Sequence, residues 1–526
     1  MKQIGFIFSL IASGMLFSSC EAYLNTNPTD QVSKEIIFKD AEGAMVALNG
    51  VFRLMYSPGW AGDNSTHAFG YMSTMLTSSF MADDMVLSSN TKGWFSMDYS
   101  LKERGFYAAK LFRPYSEWNF YYTLISNLNY ILATEESLPG APADKDYLFG
   151  QAYSLRALCY FHLAQLYQQT YVGNEDAPGV PIYTAPTTSA TPGSPRGTLR
   201  QVYERINEDI EKGIALLKRA EDAGKIQQHK SHIDYYVAQG IRSRIALVQN
   251  NWELAAEAAK IALTKPRLGY ANASELIIGF NTLEISSVLW GASIQKSDQT
   301  GDKASFFSHM DSNSGTYGST DRKCISVWLY KQMGLQDLRR VNWWRDAMPD
   351  ELPQGSQKSY CSTKFSFSDF RSGLGDNIYM RAEELLLTRA EALCRLQQYN
   401  EARKLMEMFG SIRERNYIKK RLDKVTDSYE LTKDAYGTTS TPEIKTLLDE
   451  IILQRRIELW GESPRLFDIL RLKTGYTRDY KDSNHLEKLI NENTQLANYK
   501  GFILTIPQSE FDGNINMDPI KDQNPL

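Results

Sequence analysis

Along most of the chain, apolar residues recur every three to four positions, the period of helices that bury one face. Ala41, Met45, Leu48, Phe52 and Met55 predict a helix over Asp40–Tyr56, stopped by Pro58-Gly59. The same period predicts helices over Tyr115–Thr134, Tyr147–Tyr167 and Leu199–Leu217. Tyr235–Gln249 and Trp252–Leu263 read as a helical hairpin around Asn250-Asn251. Met380–Leu396 and Asn400–Met408 read as another around Gln397-Gln398-Tyr399. Ile444–Trp460 and Pro464–Lys473 complete the set. The two hairpins share an Ala/Leu-rich first helix, a polar bend next to an aromatic, and an alanine early in the second helix (Ala255, Ala402). Small residues there let paired helices approach closely, as in tetratricopeptide units. The fold class expected is mainly α, with tetratricopeptide-like helix pairs and long irregular loop regions.

Three stretches break the period. Gly59–Gly105 and Leu268–Asn377 mix Gly, Ser, Asn and Asp with many aromatics, and Ala177–Thr198 is a Pro-rich linker expected to run extended over the surface. Loops of this length inside a compact chain are usually functional.

The N-terminus predicts export. Met1-Lys2 is followed by an apolar run, Ile4–Phe17, too short for the ~20 residues of a membrane-spanning helix and suited to a signal peptide. Small Ser18 and Ser19 precede Cys20, as in a bacterial lipobox, although Phe17 stands where Leu is usual. The expectation is a signal peptide over 1–19, a lipid (palmitate) on Cys20 and one domain over 20–526; ordinary cleavage leaving Cys20 unmodified is the alternative. A lipidated chain is anchored to a membrane rather than spanning it.

The chain has 526 residues, 42% of them apolar and 23% charged, ordinary globular values. A formal net charge of −4 gives no general drive toward nucleic acid. Cys159 and Cys394 sit in helical patterns as buried thiols, whereas Cys324 and Cys361 lie among loops and are able to pair in an oxidising compartment.

Seven ordered motifs resemble the SusD/RagB family of Bacteroidota surface lipoproteins. They are Leu24–Pro28; Gly150–Tyr167 (GQAYSLRALCYFHLAQLY); Val180-Pro181-Ile182; Arg196–Ile214 (RGTLRQVYERINEDIEKGI); Met380–Arg415, through Arg381, Glu383, Glu391, Arg413 and Arg415; Ile452–Arg471 (ILQRRIELWGESPRLFDILR); and Ile506–Pro525 (IPQSEFDGNINMDPIKDQNP). Gln151 and Gln454 replace the family's usual Glu, Gly410 its Asn and Ser463 its Gly. The resemblance implies a right-handed helical scaffold of about four tetratricopeptide-like pairs, with the irregular segments gathered on one side. It also implies a SusC-like TonB-dependent transporter as partner, over which the protein closes as a lid. The implied ligand is an oligosaccharide or, in some members, a peptide.

The charged motifs read as structure. Arg455, Arg456, Glu458, Glu462, Arg465, Asp468 and Arg471 crowd two helices, and Glu458 and Glu462 share a face at i and i+4, so they require nearby cations. Glu383, Arg389, Glu391, Arg413 and Arg415 are read the same way. Six scattered His, without HExxH or CxxC, argue against zinc, and neither a P-loop nor another cofactor motif occurs. Acidic Asp83, Asp84 and Asp311 leave a loop calcium site as a weaker option. No catalytic constellation is seen, although a distant carboxylate pair of a surface glycoside hydrolase is invisible to sequence.

Binding is expected from aromatics outside the helical pattern, because sugar rings lay C–H faces on them while hydroxyls pair with nearby polar groups. Trp94, Phe95, Trp343 and Trp344 fit best, followed by Trp60, Tyr99, Tyr317 and Trp328; Trp118, Trp252, Trp290 and Trp460 read as core. By position, Trp94 falls where the resemblance implies part of a binding platform.

Overall fold

A computed structural model describes residues 37–60, 66–88, 94–101, 112–227, 229–298, 304–345, 360–432 and 443–524. Cys20 and the expected leader lie outside the described residues.

The helical period is realised nearly where it was read. Helices α1 (Ala41–Leu54), α2 (Tyr71–Phe80), α3 (Phe112–Leu132), α4 (Pro142–Tyr167), α5 (Leu199–Asp222), α6 (Tyr235–Val248) and α7 (Trp252–Leu263) form the first part. After the second irregular stretch come α8 (Ala382–Arg395), α9 (Tyr399–Arg413), α10 (Leu447–Glu458) and α11 (Arg465–Leu472). Local signals set the starts. The Asp40 carboxylate accepts from Gly43 N, and Thr198 with Gln201 and Thr446 with Asp449 form reciprocal capping boxes. Both hairpin bends place a residue in the left-handed region, Asn250 (φ 56°) and Gln397 (φ 61°). Ala255 and Ala402 are fully buried at the close approaches.

Helix α4 is buried on all sides from Tyr147 to Tyr167 and forms the axis of the first half, packed on α3 and α5. A Cβ at Gly213 would stand 2.4 Å from Ser154 Oγ and 2.9 Å from Gly150 O, so glycine permits this α4–α5 contact. Arg156 on α4 grips Asp209 on α5 through two bonds of 2.7 and 2.8 Å and also donates to Asn129 on α3. At the C-terminus, Asn524 donates to Tyr167 O and Leu504 O, tying the last described residue to the end of α4.

Helix α2 was not legible in the pattern. All ten of its residues, YMSTMLTSSF, are buried, so it has no polar face and hence no period. Met380 and Arg381, assigned by the pattern to the start of α8, belong instead to a strand. There are three antiparallel pairs among the described residues, β1 (Met85–Leu87) with β5 (Lys323–Ile325), β2 (Pro178–Pro181) with β3 (Arg196–Thr198), and β4 (Val288–Ala292) with β6 (Asn377–Arg381), of which β1–β5 joins the two long irregular stretches. Cys324 opposes Cys361 across an isolated bridge, with their sulfurs in contact at 3.3 Å. Among the described residues, no helix is long and apolar enough to cross a membrane.

Candidate functional site

The densest charge in the molecule is structural. Glu458, at the end of α10, accepts from Arg413 (2.9 and 3.0 Å), Arg339 (3.2 Å) and Arg381 (3.3 Å), all of them buried. Arg381 also grips Glu383 and Glu462, while Arg471 grips Glu391 and Asp468. Burial alone would raise the Glu458 pKa, but Arg413, Arg381 and Arg339 outweigh it and hold the carboxyl well below the usual range. The same balance, with Arg455 and Arg471, brings Asp468 down to about 2. Asp83 and Asp84 are clamped by Arg456 and Arg465, so cations of the protein occupy the place a calcium ion would need. Asp311 accepts from the backbone N of Asn313 and Phe367, in the manner of a loop staple. Arg415, grouped with the network from sequence, is exposed and stands outside it.

The structure buries most of the aromatics expected to bind. Trp343 is fully buried, donates to Leu276 O (2.8 Å) and has Lys364 Nζ 4.3 Å from its ring, so it forms part of the wall around the ion-pair network. Trp344 packs edge-on against Trp460 at 4.7 Å. Trp328 lies under Arg456 at 4.5 Å, Tyr99 under Arg478 at 3.8 Å, and Trp60 packs on Phe120 while donating to Ser57 O. Phe95 is buried between Phe80 and His309. These six rings, expected from sequence to face a ligand, are buried. In each case a loop long in sequence folds its aromatics inward to make a core, since loop segments without helical faces must supply their own apolar contacts.

Trp94 and Tyr317 remain half-buried, and the fold brings them together. Their rings meet edge to face with centroids 4.5 Å apart. The next residue, Phe95, has φ 58°, and this left-handed turn lets consecutive aromatics face different surroundings, Phe95 inside and Trp94 at the surface. The short helix Ser96–Ser100 that follows is tied down through Asp98, which takes two bonds from Arg113 (3.1 and 3.2 Å) on α3. Tyr317 opens a one-turn helix over Tyr317–Thr320. A Cβ at Gly318 would stand 2.5 Å from Asp311 O, so glycine lets this turn lie against the preceding helix, Phe306–Met310.

That preceding helix supplies His309, fully buried and sandwiched between Phe69 (5.6 Å) and Tyr317 (4.9 Å). Burial, reinforced by the charge of Lys323, holds its pKa well below the ordinary histidine value, so the ring is neutral. Its Nε2 donates to Thr66 O, and its buried Nδ1 has no partner among the described residues. His67 Nδ1 beside it is likewise unpartnered. The loop before Tyr317 carries exposed Asn313, whose Oδ1 accepts from exposed Arg345. The corner therefore combines two half-open rings, an amide and a guanidinium above a buried neutral imidazole, an arrangement suited to non-covalent capture of a ring-bearing polar ligand. His67 and His309 were missed in sequence because isolated His in loops carry no spacing signal. Among the described residues no cluster of His, Cys, Asp and Glu is arranged to hold a metal.

Comparison with known proteins fits this architecture. A family model described as "Starch-binding associating with outer membrane" matches residues 59–247, and the SusD family model matches 310–526, together most of the chain. A SusD-like protein of Formosa agariphila is 24% identical over 212 residues, 40% of this chain and 37% of that protein, so the match spans little more than a third of the relative. A SusD-like carbohydrate binding protein from Bacteroides vulgatus superposes with a TM-score of 0.73 at 24% identity, covering 93% of this chain and 98% of that one. A SusD superfamily protein from Bacteroides thetaiotaomicron gives 0.71 at 21%, covering 93% and 100%. Surface glycan-binding protein A from Bacteroides uniformis gives 0.64 at 17%, covering 92% and 99%. These structures share the fold, and the two models place the sequence: the chain belongs to the SusD/RagB family.

Proposed function

We propose that the protein is a glycan-capture lipoprotein of the outer membrane, held by a lipid on Cys20. In this reading it binds oligosaccharide without cleaving it and passes it to a SusC-like TonB-dependent transporter. The observation that carries the reading is the half-buried Trp94–Tyr317 pair, seated on neutral His309 beside Asn313 and Arg345. The ring faces supply stacking, and the amide and guanidinium pair with hydroxyls. Capture rather than hydrolysis is favoured because carboxylates at this corner are engaged: Asp98 accepts from Arg113, and Asp311 from the backbone N of Asn313 and Phe367. The family description as starch-binding and outer-membrane-associated, and the names of the structural relatives, support the same class of ligand.

The test is affinity electrophoresis of the chain through gels containing a panel of polysaccharides, with product analysis of the same mixtures. Retardation by at least one glycan without product, and reduced retardation of Trp94→Ala, are expected. Binding to peptide mixtures alone would replace the ligand class, and product formation abolished by one carboxylate substitution would make the protein a hydrolase. Co-purification with a TonB-dependent barrel, lost when Cys20 and the leader are replaced by a periplasmic leader, tests the partner and the anchor.

A further inference from the structure

A second cavity lies apart from the Trp94 corner, and every residue that lines it is described. Its volume is about 320 Å³, within the range of small-ligand sites. One wall is α3, whose Trp118 and Tyr122 lie 4.8 Å apart and continue to Tyr183 at 5.9 Å from Tyr122. The opposite wall is the Pro-rich segment after β2, expected from sequence to be a plain surface linker. The floor is the short C-terminal helix Gln508–Gly513 with Glu510. Tyr115, 39% exposed, stands among the lining residues as the most open aromatic.

The walls are held rigidly. Asn129 donates to Tyr183 O and Ala185 O, Tyr130 to Thr187 O, and Tyr122 to Pro181 O, so the linker is fixed to α3. The Glu510 carboxylate is oriented by Trp118 Nε1 (3.1 Å to Oε2) and Asn514 Nδ2 (2.7 Å to Oε1). One bond per oxygen leaves each with a further lone pair. The lining contains this one carboxylate and no lysine or arginine, so it disfavours anionic ligands. Ring faces, hydroxyl acceptors and an absence of positive charge together select a ligand with C–H faces, hydroxyl donors and no negative charge.

From this juxtaposition we infer a second saccharide site, formed by Tyr115, Trp118, Tyr122, Tyr183 and Glu510, that takes a neutral mono- or disaccharide unit of a glycan chain. Its ligand class rests on the glycan reading above, but its location does not. Two separated sites on one chain would hold a long glycan at two points, raising its effective concentration at each.

The test is calorimetric titration of the full-length chain, in a detergent without a sugar headgroup, with neutral hexasaccharides of glucose, xylose, mannose and galactose, and with a polyuronate of similar length. Two sites are expected for a neutral sugar. The double variant Tyr115→Ala/Ser126→Phe, which removes the open ring and fills the cavity, is expected to lose one of them. Glu510→Gln, nearly isosteric, is expected to weaken the same site about tenfold, and thermal melts verify that each variant is folded. Trp94→Ala is expected to leave this site intact. A single site abolished by Trp94→Ala and indifferent to the cavity variants would overturn this inference and leave the capture reading standing. A single site abolished by the cavity variants and indifferent to Trp94→Ala would support it and overturn the placement of capture at the Trp94 corner. Preference for the polyuronate, or no binding of any neutral sugar, would overturn it.

Discussion

The ion-pair core around Glu458 and the aromatic corner around Trp94 are both rich in polar and aromatic groups, but of the two it is the corner that leaves rings half open. In the core, three arginines converge on Glu458, each guanidinium also meets another acceptor, and the flanking Trp343 has its indole N–H bonded. At the corner, two rings are half open, and two buried imidazole nitrogens have no partner among the described residues. Charge density is therefore a poor guide to a binding site, because low-dielectric interiors demand pairing wherever charges are buried. Ring faces left half open beside polar side chains are the better guide.

Removing Glu458 is expected to have the largest effect. Glu458→Ala leaves Arg339, Arg381 and Arg413 facing one another in the interior, at a cost of about 3–5 kcal/mol or more. Loss of soluble folded chain, or a large fall in the denaturant midpoint, is the expected result. Asp468→Ala shifts stability in the same direction but less, because Arg455 keeps Thr388 and Arg471 keeps Glu391 as partners. An unchanged unfolding midpoint for either variant would mean that the network is not stabilising as placed.

Acid should act next. Burial first, then the charge of Arg244, lowers the His162 pKa to about 3; burial, then Arg478, lowers that of His485 to about 3. The unfolded chain protonates these rings near 6.5 and the folded chain does not, so the penalty for keeping them unprotonated vanishes above about pH 6.5. Stability is then lost as pH falls below that value, by about 2 kcal/mol per ring at pH 5. Thermal melts between pH 7 and 5 are expected to slope accordingly. His162→Phe should remove about half of this slope and leave pH 7 stability nearly unchanged, because neither of its imidazole nitrogens has a partner among the described residues. The smallest effect is expected from Trp94→Phe, which keeps a ring at the corner. Affinity should fall about threefold, roughly 0.7 kcal/mol, with no change in the melt.

The long helices were legible because each has one apolar face and a local start or stop, as at Asp40, Thr198 and Asn250. The ion-pair reading was legible because Glu458 and Glu462 on one face demand cations. Helix α2 was not, since burial on all sides erases its period. The corner was legible only in part. Trp94 and Tyr317 were named, but so were six rings that the loops fold inward, and nothing in the local sequence distinguishes Trp343 from Trp94. What separates them is a contact between residues more than two hundred positions apart. The cavity at Trp118 was missed for the converse reason: a tryptophan in helical register reads as core even where its edge meets a groove.

The most direct test of this account pairs two substitutions, Trp94→Ala and Trp343→Ala, each measured for unfolding and for calorimetric affinity toward the glycan that retards the parent chain. The account predicts that Trp94→Ala loses at least about tenfold in affinity, 1.4 kcal/mol, with about 1 kcal/mol or less of stability. It predicts that Trp343→Ala loses about 3–5 kcal/mol of stability, while the molecules that remain folded bind as before. Unchanged affinity in a folded Trp94→Ala protein, or lost affinity in a stable Trp343→Ala protein, would contradict it.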